Sequence, residues 1–279
     1  MGLVFVPTPL GNLRDVTLRS VDVLREASLV VAEDSRVARR LLSALDVTGK
    51  EIWTYHEHNA RATTAAILER ARAETVAVVT DAGTPGISDP GAELVAAARA
   101  AGVAVEVLPG ATAFVCAAVL SGFDLRRFAF AGFPPRGSAA RREAFRGSLG
   151  ETTVWYEAPH RARAALADLA AVAPGRRVFL VRELSKLHEQ QVLGTAAEVA
   201  AALDDPVRGE LALVVEGAPA ERPVEAPSAA DLDAAIDALV AEGLTTSAIA
   251  KRLADAGHGA RRHLYARVGE RRTGRAEPG

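Results

Sequence analysis

The chain has little of what covalent or metal-centred chemistry needs. Its single cysteine, Cys116, sits in the apolar run AFVCAAVL, which excludes disulfides and thiolate metal cages and fits a reducing compartment. A cytoplasmic location is therefore expected. Lysine is confined to Lys50, Lys186 and Lys251, while arginine and alanine are abundant, a compositional habit with no functional content. The formal charge of −2 excludes holding a polyanion by the net field, so such a partner must meet local basic patches. No apolar run approaches membrane-spanning length, and no membrane partner is expected. The stretch MGLVFVPTPLGN lacks a basic region ahead of its short apolar part, so it reads as a first strand and not a signal peptide. Neither G-x-G-x-x-G nor a Walker lysine is present, which argues against nucleoside triphosphate binding. There is also no G-x-S-x-G elbow and no candidate cysteine nucleophile. His56 and His58 lie two apart in an extended segment, where they point to opposite faces. No third ligand sits at a metal-binding spacing, so no metal is expected.

What is present is an alternation of short apolar runs with polar, glycine-rich turns. The central one is VAVVTDAGTPGISDPG, Val76 to Gly91. Its four small or β-branched apolar residues suit a strand covered on both faces, and Thr80 to Gly86 then forbid continuation. Asp81 and Asp89 bracket backbone that Gly83, Gly86 and Gly91 allow to approach a ligand closely. A plain connection takes about two to six residues, so this longer one reads as a ligand loop at the carboxyl end of a strand. Strands are likewise expected at Leu3–Val6, Leu29–Ala32, Ile52–Tyr55 and Val103–Leu108, and a helix at Ala60–Ala73. The helix Phe114–Leu120 is almost wholly apolar and is expected to be buried on all sides.

The pattern restarts after Gly122, with strands through Phe130, Thr152–Tyr156, Val178–Val181, Val192–Gly194 and Glu210–Val215. Short connections between them predict a mixed sheet. The expected organisation is an α/β lobe over 1–121, a second α/β lobe over 122–217, a proline-rich linker over 218–227 and a helical tail over 228–279. In the tail, the arginine-rich stretch from Arg261 to Arg272 follows a glycine-containing turn. That is compatible with a nucleic-acid-binding helix pair, and equally with a solvated charged face.

Taken together, VPTPLGNLRDVTLR, AEDSR, HEHN, TDAGTPGISDPG, LPGATA, GFPPR, YEAPHR, RELSK and GELALVVEG, in this order, resemble the ribosomal RNA small subunit methyltransferase I family. That family is a branch of the tetrapyrrole-methylase-like enzymes. The resemblance covers about Leu3 to Gly217 and, more loosely, the tail. It implies a two-lobed tetrapyrrole-methylase-like α/β fold with a largely parallel first sheet, a mixed second sheet and a small helical tail. It also implies a homodimer that transfers a methyl group from S-adenosylmethionine to the ribose 2′-hydroxyl of a cytidine in the decoding region. The substrate is small-subunit ribosomal RNA, naked or in the assembled subunit. Carried over by motif, the cofactor is expected at Leu10, at Asp81, Ala82, Gly83, Thr84 and Ile87, at Thr112 and Ala113, and at Tyr156, Glu157 and Leu184. Lys186 (as a neutral amine), Asp34, Asp81 and Glu157 all stand at strand ends; Lys186 or Asp34 is the expected deprotonating or hydroxyl-orienting group. RNA contacts are expected at Arg14, Arg36, Arg136, Arg161, Arg261 and Arg262, because phosphates require local cations. A tetrapyrrole C-methyltransferase is the nearest competitor, although the first loop reads PTPLGN and not glycine-rich. A regulator with a helix-turn-helix tail is the more distant one.

Overall fold

The computed structural model describes residues 1–56, 59–218 and 229–273. It contains two compact units, Met1–Ala218 and Pro219–Gly279. In the first unit, strands β1 (Gly2–Phe5), β2 (Leu29–Ala32), β3 (Glu51–Thr54), β4 (Thr75–Val79) and β5 (Val105–Val107) form one sheet in the order β3-β2-β4-β1-β5. All of its pairings are parallel. The central strands β1, β2 and β4 are almost continuously apolar and buried because both faces are covered, whereas the edge strands β3 and β5 carry exposed Glu51 and Glu106. Leu3 and Phe5 join Leu29, Val31 and Val78 in one core with helices α3 (Ala60–Ala73) and α4 (Ala92–Ala100). Val4, Val6, Val30 and Val79 join the other, against α1 (Leu18–Glu26) and α2 (Ser35–Ala44). The chain thus leaves β1 on one face and β4, its neighbour, on the other, and an open crevice forms at their carboxyl ends.

The second sheet is mixed, as expected. Strands β6 (Phe128–Phe130), β7 (Thr152–Glu157), β8 (Arg177–Arg182), β9 (Gln190–Thr195) and β10 (Leu211–Val215) run in the order β6-β7-β10-β8-β9. Only β6 and β7 pair in parallel. One face packs on α6 (Ser138–Ser148), α7 (Pro159–Val172) and α8 (Ala196–Ala201). Asp168 of α7 is buried there; it accepts hydrogen bonds from Ser138, from Arg141 at 2.8 Å and from Arg142 at 2.6 Å. Arg141 is itself buried, although Arg142 and Arg146 on the same helix are exposed.

The other face of this sheet is covered by α5 (Ala113–Ser121), through Ala117 and Ala118. Here the expectation of burial on all sides is corrected. Val115, Val119 and Leu120 are 45%, 66% and 41% exposed, and Cys116 is exposed as well. The helix has a sheet on one side only, and composition alone carries no periodicity that would reveal a bare apolar face.

Helices α9 (Ala229–Ala241), α10 (Thr246–Asp255) and α11 (Arg261–Thr273) form the second unit around Ile236, Ile249, Leu253, Leu264 and Val268. Thr245 caps α10, accepting from the Ala248 N–H. The expected linker from residue 219 on, and the expected helix start at Ser228, lie outside the described residues.

Candidate active site

The loops at the strand ends are stitched together by backbone and hydroxyl groups. After β1, the buried Thr8 exchanges two hydrogen bonds with Gly83 after β4, Thr8 N–H to Gly83 O at 2.9 Å and Gly83 N–H to Thr8 O at 3.0 Å. Its hydroxyl donates to Thr80 O. Gly83 holds φ +87, which is why this position takes glycine. Thr84 reaches the loop after β5, donating to Ala111 O at 3.0 Å and lying 2.8 Å from the Thr112 hydroxyl. From the second sheet, the Tyr156 hydroxyl accepts the Phe114 N–H at 3.0 Å and fixes the start of α5. A Cβ on Gly11 would collide with the Lys186 side chain, so the first loop packs directly on the loop that follows β8.

These loops enclose a cavity of about 340 Å³, within the size range of small-molecule sites. Leu10, Ala82, Gly83, Thr84 and Ile87 line it from the first two loops, and Thr112 and Ala113 from the third. Tyr156, Glu157 and Leu184 close it from the second sheet. All the expected cofactor positions except Asp81 are thus brought together. Asp81 turns toward the loop after β2, where its carboxylate accepts the Asp34 N–H at 3.3 Å. Burial, with the charge of Glu33 added, raises its pKa. Ser88, Asp89, Phe133 and Glu210 also line the cavity and were not singled out as site residues from the sequence. The available signals were their places in TDAGTPGISDPG, GFPPR and GELALVVEG. Ser88, Glu183 and Ser185 hold positive φ values of 63°, 54° and 61°. Such backbone persists where the surroundings over-determine it, typically at functional sites.

The two candidate proton acceptors have the wrong electrostatics for that part. Lys186 Nζ donates to Glu183 at 2.9 Å and to Glu210 at 3.2 Å. Burial opposes its charge, but the hydrogen bond to Glu183 and the charge of Glu210 outweigh it, and its pKa is raised. Lys186 is therefore an ammonium and not the neutral amine a base requires. Asp34 caps α2 and is paired with Arg36 at 2.9 Å. Hydrogen bonds from the Arg36 side chain and backbone hold its carboxyl down at about 2, so it is too weak a base for a hydroxyl. Glu157 accepts the Ala158 N–H at 2.8 Å and pairs with Arg161 at 3.0 Å.

Arg161 is corrected in its turn. It is largely buried, bonded to Glu157 and to Pro134 O, and so ties the GFPPR loop to the end of β7 and is not a free surface cation. Arg14, Arg36 and Arg136 are exposed around the first unit's loops. In the tail, Arg267 and Arg271 are paired with Asp233 and Asp237, whereas Arg261 and Arg262 are exposed, the former touching Ser247 at 3.2 Å. No group of three His, Cys, Asp or Glu side chains among the described residues is arranged to hold a metal ion; His58 lies outside them. No helix among them is long and apolar enough to cross a membrane.

Residues 2–200 match the family model described as Tetrapyrrole (Corrin/Porphyrin) Methylases. The chain is 40% identical over 272 residues to the ribosomal RNA small subunit methyltransferase I of a Synechocystis strain, covering 95% of this chain and 96% of that one. It is 42% identical over 256 residues to the protein of that name from Micromonospora olivasterospora, covering 90% and 79%. Among solved structures, diphthine synthase superposes with a TM-score of 0.60 at 16% identity, covering 77% of this chain and 89% of that one, which is a likeness of fold. The family-model match over residues 2–200 and the identity over nearly the whole chain agree with the two-sheet fold: this protein belongs to the ribosomal RNA small subunit methyltransferase I family of the tetrapyrrole methylases.

Proposed function

We propose that this enzyme methylates the ribose 2′-hydroxyl of a cytidine in the decoding region of small-subunit ribosomal RNA, with S-adenosylmethionine as donor. That it is a methyltransferase using this donor on ribosomal RNA follows from its family. The ribose oxygen and the cytidine are the finer reading. The observation that supports it is the extent of the match, at 40% identity over 95% of the chain, too long to leave out the helical tail.

The cavity fits the donor. Its lining is mostly apolar or small, suited to an adenine ring, and Gly83 lies so close to Leu10 and Ala111 O that a Cβ there would reach 3.2 and 3.6 Å from them. Leu10, Ala82, Thr84, Ile87 and Thr112 would hold the adenosine and amino-acid ends, with Tyr156 and Leu184 closing the second-sheet side. When bound, the sulfonium supplies an activated methyl group with its leaving group already in place. The protein's work is to orient the incoming hydroxyl and exclude water, which accounts for several kcal/mol of barrier in well-positioned reactions. Lys186, as an ammonium, suits the orientation of a substrate oxygen or phosphate, while Arg14, Arg36, Arg136, Arg261 and Arg262 meet the RNA backbone. Such a substrate places the enzyme in the cytoplasm with the ribosome.

A homodimer completes the reading. The exposed apolar face of α5, at Val115, Val119 and Leu120, is the kind of surface a second copy covers. Val119→Asp is expected to shift the protein from dimer to monomer in sedimentation; an unchanged dimer excludes this face.

The deciding experiment offers labelled S-adenosylmethionine to small subunits from cells lacking the gene, followed by nucleoside analysis. Labelled 2′-O-methylcytidine is expected. Label on a base refutes the ribose reading; no incorporation with donor binding intact redirects the search to tetrapyrroles.

A further inference from the structure

The cavity wall carries the titratable side chains Asp89, Tyr156, Glu157 and Glu210. Three of them are occupied. Glu157 is tied to Arg161 and the Ala158 N–H, and Glu210 to Lys186. The Tyr156 hydroxyl already accepts the Phe114 N–H, and burial pushes its pKa up to about 12, so no phenolate is available at neutral pH. Asp89 differs: among the described residues no cation pairs with it. Its neighbours are the Thr80 hydroxyl and the carboxylates of Glu33, Asp81 and Glu210. Thr80 lies 3.1 Å from Glu33 as a donor, and one hydroxyl proton cannot serve both carboxylates at once. Asp89 is thus a carboxylate on the cavity wall with unused acceptor capacity, delivered there by the positive-φ turn at Ser88.

We propose that Asp89 is the proton acceptor of the reaction, taking the proton of the ribose 2′-hydroxyl as that oxygen is methylated. The assignment rests on the ribose reading above. In the step the O–H bond breaks and the proton passes to an Asp89 oxygen. A C–O bond forms to the methyl carbon, and the pair of the broken C–S bond stays on the sulfur. Burial, with the charges of Glu33, Asp81 and Glu210 added, raises the Asp89 carboxyl to about 6. It is thus ionised at neutral pH, yet a stronger base than an exposed aspartate. Protonation also removes one negative charge from a crowded group of carboxylates, which favours uptake.

The test is Asp89→Asn, which keeps size and polarity but cannot accept the proton, beside Asp89→Glu, which can. Asp89→Asn is expected to bind S-adenosylhomocysteine like the wild type in calorimetry while single-turnover methyl transfer falls about 100-fold. The acid limb of the wild-type rate, with its midpoint near 6, should vanish in Asp89→Asn and persist in Asp89→Glu. Independently of activity, NMR of carboxyl-labelled aspartates in the wild type should show a resonance titrating near 6, removed by Asp89→Asn. Wild-type rate with an intact acid limb in Asp89→Asn overturns the proposal, as does an Asp89 resonance titrating in the ordinary carboxylate range. A wild-type product methylated on a base overturns both this assignment and the ribose reading. Failure of Asp89 alone leaves a ribose-methylated product.

Discussion

Asp168→Asn is expected to destabilise the protein by about 3–5 kcal/mol, the usual cost of removing one partner of a buried ion pair. The carboxylate is buried and receives Ser138, Arg141 and Arg142 at once, and Arg141 is equally enclosed. The amide keeps one acceptor oxygen but no charge, so the Arg141 guanidinium, otherwise bonded to the carbonyls of Pro135 and Arg136, is left with an uncompensated charge. Burial raises the Asp168 pKa, but the hydrogen bonds from Ser138, Arg142 and Arg141 outweigh it, and the net shift is downward. A carboxyl with a depressed folded-state pKa contributes stability that is present above its unfolded-state value and lost as the pH falls through the folded-state one. The difference between wild type and variant in urea midpoint should therefore be full at neutral pH and shrink in acid. The pair Arg141→Met with Asp168→Leu should recover much of the loss, because the charge and its partner leave together. A single variant as stable as the wild type would mean that Arg141 finds water or another anion.

Gly83→Val is expected to weaken binding of S-adenosylmethionine by about 100-fold, equivalent to about 2.7 kcal/mol, and to cost about 1–3 kcal/mol of stability from backbone strain. The position holds φ +87, a region that β-branched residues avoid. Its N–H and C=O are both bonded to Thr8, so the loop cannot relax without unstitching the first loop. The new side chain would also start within 3.2 Å of Leu10 Cδ2, in the cavity itself. Calorimetric titration separates the two effects. Undiminished donor affinity in a folded Gly83→Val protein would exclude this cavity as the donor site.

The elements were legible in the sequence because their signals are local. The runs at Leu29–Ala32 and Ala60–Ala73 coincide with β2 and α3. Thr17, Thr195 and Thr245 cap helices, a local preference of threonine at helix N-termini. The turn chemistry of Thr80 to Gly91 located one wall of the cavity, and the ordered motifs identified the family. Apolar alternation, capping and glycine turns act over a few residues, so a one-dimensional reading captures them.

The roles of individual charges were decided by the tertiary structure. Lys186 reads as a possible neutral base until Glu183 and Glu210 are found beside it. Arg161 reads as a phosphate contact until Glu157 and Pro134 enclose it. Asp89 reads as one end of a ligand loop, with no role of its own, until the cavity closes around it and the cations go to other carboxylates. The apolar run of α5 reads as buried until the second sheet covers one side of it and leaves the other bare. Ionisation and exposure depend on through-space distance and on how far water is excluded. Residues far apart in the chain set both, so the sequence by itself determined the elements and the family, and only folding determined which side chains are free to act.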